Sequence, residues 1–265
     1  MIQNDVLPEF PAYALDLMGA IVEQTDYPLL VTEQPRTGYD SQLRMGSSSH
    51  PYHHLICDPA YRQHLVHFLV NAAFKIRRVW ELPPEDRLLP IGDARRRLPE
   101  DDETELRQRL KGMPDATVRD LSTFLYRGLL QQLTSMPIDI RVEREIAATF
   151  VGHAEAQRAY LRRQVADLEP HFAPEIEAFA PARLYSACTA MNIVLAAEAA
   201  DLAGVKPGQV FRESPHRVLG ERLREIARLT DEPGYHGDRA LTDAWAEELG
   251  LRDWYEWERL DQIRR

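Results

Sequence analysis

The chain has 265 residues and is 44 % apolar, enough material for one large domain or two modest ones around a sizeable core. Its formal net charge of −10 and pI near 5.4 argue against a general affinity for nucleic acid or for an anionic membrane, both of which need a basic surface. No window reaches the roughly 18 to 20 apolar residues of a membrane span. The first residues also carry acids and prolines where a secretory signal has a basic start, so a cytoplasmic protein is expected. Cys57 and Cys188 are far apart and have no C-x-x-C partner, which predicts two free thiols rather than a disulfide framework or zinc knuckle.

In chain order, PAYALDLMGAIVEQ at 11–24 repeats apolar residues at helical spacing and predicts a first helix. DYPLLVT, QLRMGS and HHLIC follow as short β-favouring runs. The turn-rich EQPRTGYDS and SSHPY separate them, so a small sheet of two or three strands is expected. Asp58-Pro59 then caps a long helix through AYRQHLVHFLVNAAFKIRRVWEL, which Pro83-Pro84 ends. Residues 87–115 mix RRR with EDDETE and predict a mobile loop with one short helix, its acids solvated on the surface. From 116 onward the pattern is helical to the end, with breaks at Pro137, Pro174 and Pro181. The aromatics Trp245, Trp254, Tyr255 and Trp257 dock this tail on the core.

The expected fold is therefore α+β and predominantly helical. A sheet-bearing part with its charged connector, 1–115, is completed by a helical part, 116–265, around the same core.

The long helix is informative because apolar residues cover most of its circumference. What remains is a narrow stripe of His64, His67, Asn71, Lys75 and Arg78. A polar stripe on a largely buried helix faces solvent or a lined cleft, and in a cleft its groups need partners.

The order of elements, with the phrases HHLICDP, FLVNAAFKIRR, MPIDIRVEREI and YSACTAMN, resembles the ImmA/IrrE-like zinc metallopeptidases over roughly residues 10–230. The resemblance implies a zincin-like helix pair packed on the sheet, with H-E-x-x-H on the first long helix and a third, acidic ligand on a later one. In that motif two histidines one turn apart bind zinc and the glutamate activates its water. Aligned to it, Asn71 stands for the first histidine, Ala72 for the glutamate and Lys75 for the second histidine, so none of the motif survives. The third ligand would fall at Glu143 or Glu145, giving Lys75 a carboxylate to pair with. The resemblance thus implies a bacterial, non-catalytic protein without a cofactor. It would act through a protein partner or larger assembly, with a former substrate cleft lined by His64, His67, Asn71 and Lys75.

The competing expectation is a metal-dependent hydrolase with a relocated site among His50, His53, His54, His64 and His67, since histidines this dense can bind metal. GSSS at 46–49 lacks the setting of a phosphate loop, and Ser186, Cys188 and Thr189 read as small-residue helix packing. RRR at 95–97 lacks the interleaved aromatics of a nucleic-acid surface.

Overall fold

Pro11 and Asp26 bracket the first helix. Pro11 is extended, and Asp26 takes a left-handed φ of 62° and returns its N–H to Val22 O, so α1 spans Ala12–Thr25. The computed structural model describes residues 10–35, 40–92 and 97–263. Three short strands follow, β1 (Leu29–Glu33), β2 (Ser41–Arg44) and β3 (His53–Cys57). They form the expected small sheet in the order β1–β3–β2, with β3 parallel to β1 and antiparallel to β2. β3 is central, and all its residues except His54 are buried.

The long helix is α2 (Leu65–Trp80), packed against α1 and β3. It starts later than its sequence predicts, because Pro59–His64 winds as a 3-10 turn. The Asp58 side chain accepts from Ala60 N, and Tyr61 N reaches back to Asp58 O, so the capped start is closed by tight three-residue bonds.

The connector holds β4 (Leu88–Gly92) and α3 (Glu100–Arg109), and β4 pairs with β5 (Tyr255–Arg259) in a second, two-stranded sheet. Both strands correct the sequence reading, which put a loop at β4 and helix at β5. In β5 burial alternates, Tyr255 in, Glu256 out, Trp257 half in and Glu258 out, which is a strand period that the helical AWAEEL upstream masks.

α4 (Asp115–Thr149) is a second correction, since it runs straight through Pro137 where a break was predicted. A helix-interior proline costs about 3 kcal/mol. Pro137 is buried with Leu133, Met136 and Ile140, and the packing of that face outweighs the lost hydrogen bond.

The remaining helices are α5 (Ala154–Leu168), α6 (Pro174–Phe179), α7 (Ala182–Ala203), α8 (Gln209–Glu213), α9 (Arg217–Leu229) and α10 (Gly234–Glu248). No helix among the described residues is long and apolar enough to cross a membrane. The elements gather into two compact units that interleave along the sequence. One holds the residues up to Leu89 with Val142–Tyr160 and those from Glu258 onward; the other holds Pro90–Arg141 and Leu161–Trp257.

In the second unit α7 packs on α9, and α9 on α10. A Cβ at Gly220 of α9 would lie 2.8 Å from Ile193 Cγ2, so the close approach to α7 needs glycine there. Trp245, Trp254 and Tyr255 are buried in this unit as expected and Trp257 is half-buried; Trp245 Nε1 donates to Leu223 O at 2.9 Å.

The EDDETE run departs from its predicted surface role. Asp102 is buried and pairs with Arg183, while Glu105 accepts the first N–H of α7, from Ala182, at 3.1 Å. Two of its acids therefore pin a helix N-terminus, where negative charge is favoured. Arg95 and Arg96 of the RRR run lie outside the described residues.

Arg141 is held by three acceptors. Its Nε donates to the buried Asp238 at 2.8 Å, its Nη1 to Thr230 O at 2.9 Å and its Nη2 to Glu232 O. Removing one member of such a pair strands the other, which costs about 3 to 5 kcal/mol. Asp238→Ala should lower stability by that amount, read as a fall in the urea midpoint followed by tryptophan fluorescence.

Candidate functional site

The polar stripe of α2 is the inner wall of a buried cluster in the first unit. His67 and Asn71 stand one helical turn apart and both meet Glu143, carried on α4. Asn71 Nδ2 donates to Glu143 Oε1 at 2.7 Å. Gln157 of α5 donates through Nε2 to Glu143 Oε2 at 2.7 Å and to the Glu143 carbonyl at 2.8 Å. His67 Nε2 lies 3.1 Å from Glu143 Oε1 but off the line of a hydrogen bond, so that contact is electrostatic. Each carboxylate oxygen thus has a protein partner, although Glu143 is only 5 % exposed.

The network continues outward. His67 Nδ1 faces His153 Nε2 at 3.1 Å, the two rings lying within 5° of parallel, and His153 Nδ1 faces the Tyr13 hydroxyl of α1 at 3.2 Å. Tyr160 of α5 stacks on the His67 ring at 4.5 Å between centroids and donates its hydroxyl to Asp40.

His153 thus lies between Tyr13 and His67, one nitrogen of the facing His67–His153 pair donates to the other, and His67 Nε2 lies against the carboxylate.

Burial pushes the Glu143 carboxyl upward, but His67 and the amides of Gln157 and Asn71 outweigh it and hold the group below its ordinary range. His153 is pulled down to about 4, chiefly by burial and further by the neighbouring His67, with Glu143 opposing. It is neutral at physiological pH.

Of the residues singled out from sequence, His67, Asn71 and Glu143 come together. His64 is buried beside them against the Tyr160 ring edge at 5.6 Å, Ala72 is 2 % exposed, and Lys75 is half-buried. Glu145 is held by Arg77 and Arg78. Tyr160 and His153 lie against His67, and Gln157 against Glu143.

His50, His53 and His54 do not converge. His53 is fully buried between Gly46 N and the Thr25 hydroxyl, each at 3.1 Å; His54 turns to the other face of β3 and meets Thr32 at 2.8 Å; His50 packs at a tilt against Tyr52. Among the described residues no group of three or more histidine, cysteine, aspartate or glutamate side chains is placed to hold a metal ion. Cys57 is buried, its thiol pushed up to about 12 by burial, and is not a nucleophile.

Sequence reasoning missed Tyr13, His153, Gln157 and Tyr160. The last three fall at i, i+4 and i+7, the spacing of one helix face, which is the signal that could have found them. No family model, curated protein or solved structure matches the chain.

His53 and His153 take up protons only near pH 4 when folded, whereas unfolded histidine does so near 6.5. Between those values the unfolded chain binds more protons, so stability falls as pH is lowered through that window and is fully present above it. Glu143, with its lowered value, adds a further loss as pH drops below the carboxylate range. Urea midpoints measured from pH 7.5 to 4.5 should decline, and His153→Gln should flatten the decline while lowering the plateau.

Proposed function

We propose that this chain is a non-catalytic member of the ImmA/IrrE-like metallopeptidase fold that works by binding another protein, as a regulatory or structural partner in a bacterial cytoplasm. One observation carries the reading: Asn71 Nδ2 sits 2.7 Å from Glu143 Oε1. Those positions align with the first histidine and the third, acidic ligand of the zinc site. Two ligands each about 2 Å from one tetrahedral zinc stand roughly 3.3 Å apart, so the two side chains face one another at closer than ligand spacing, joined by an amide hydrogen bond where the resemblance puts the ion.

The chemistry around it supports a binding role. Ala72 fills the general-base position and cannot accept a proton. The half-buried Lys75, aligned with the second histidine, brings an ammonium where a dication would sit. The Glu143 carboxylate is already satisfied by two amides, and the cluster is closed, which leaves recognition to the outer surface. A hydrolase built on His50, His53 and His54 has less support, since His53 and His54 spend their ring nitrogens on separate faces of β3.

Elemental analysis of untagged protein should find no stoichiometric zinc. The triple variant Asn71→His, Ala72→Glu, Lys75→His should bind one zinc per chain and lose it when Glu143→Gln is added. A folded triple variant that takes up no zinc would refute the alignment, and one zinc per wild-type chain would refute the non-catalytic assignment.

A further inference from the structure

Helix α1 turns an unbroken apolar strip to solvent. At about 100° per residue, Met18, Val22, Leu15, Gly19 and Ala12 fall on one arc of roughly 120°. Leu15 is 49 % and Val22 42 % exposed. Between them, a Cβ built on Gly19 would meet nothing within 4 Å. The strip therefore has two aliphatic ridges and a shallow saddle where the backbone of another helix can come close. Along one edge run Asp16 and Glu23, and α1 has no lysine or arginine to neutralise them.

We propose that this face of α1 binds an amphipathic helix of another protein, with its apolar ridge over Gly19 between Leu15 and Val22 and with lysines or arginines along the flank that meets Asp16 and Glu23. The proposal rests on the protein-binding reading and names its surface and the chemistry of its partner. Charge decides the occupant. A second copy laid antiparallel across Gly19 would bring the two acidic edges together, and each chain carries a net charge of −10. An anionic membrane is repelled by the same charge. A basic helix is attracted by it, and the apolar anchors at i, i+4 and i+7 (Leu15, Gly19, Val22) match the way helices seat in grooves.

The test uses the full chain and three fluorescent helical peptides of about 18 residues, followed by anisotropy. One has a leucine ridge flanked by lysine, the second the same ridge flanked by glutamate, and the third the lysine peptide scrambled to destroy the ridge. The first should bind at least tenfold more tightly than the other two. Gly19→Ile, which fills the saddle without touching the rest of the fold, should weaken it about tenfold, and Asp16→Lys with Glu23→Lys should shift preference to the glutamate-flanked peptide. No binding by the first peptide, equal binding by the scrambled one, or indifference to Gly19→Ile would overturn the proposal. So would a wild-type dimer in sedimentation that Leu15→Glu dissociates. None of these variants touches Asn71 or Glu143, so the zinc experiment stands or falls separately.

Discussion

A carboxylate sealed from water dictates the arrangement of the first unit. An isolated buried charge is too costly to keep, and Glu143 survives as an anion only because two helices bring it three partners: Asn71 and His67 from α2 and Gln157 from α5. Those bonds fix the rotation of α2 about its own axis. Once that rotation is set, the apolar remainder of the helix, from Leu65 through Val79, has only one way to meet α1 and the central strand. The second layer follows from the first. His67, held by its Nε2 side, presents Nδ1 to His153, and His153 in turn presents a nitrogen to Tyr13, so a single anion orders side chains on four segments of chain.

The cluster satisfies its buried anion with protein donors alone. Zinc sites contribute folding energy by gathering donors that otherwise repel or go unpaired. Here neutral amides supply donors to the carboxylate directly, and the ring pair is closed at neutral pH by one shared hydrogen, since only one of two facing nitrogens 3.1 Å apart can carry it. Fixed hydrogen bonds of this kind hold the shape of the first unit.

Much of this was legible in the sequence where periodicity speaks clearly. The three N-terminal strands and the burial of α2 follow from alternation and from a helix with apolar residues nearly all round. The errors have physical causes too. Pro137 reads as a break because local propensity ignores the packing of Leu133 and Ile140. The acids of EDDETE read as solvated because no local rule reveals that Arg183, some eighty residues on, needs Asp102. His153 and Gln157 were overlooked because one face of a mixed helix shows its purpose only once its neighbour is known.

Interleaving gives the first unit an unusual dependence on distant parts of the chain. Its sheet and α2 are complete by Leu89, yet the residues that neutralise their polar stripe arrive with Val142–Tyr160, and a further piece comes from Glu258 onward. A fragment ending at the charged connector, the boundary that composition suggests, would expose Asn71 and His67 beside a bare hydrophobic wall. On the ribosome the same wall must wait for more than fifty further residues before its partners emerge, an interval in which a chaperone, or the wrong neighbour, has the first opportunity to cover it.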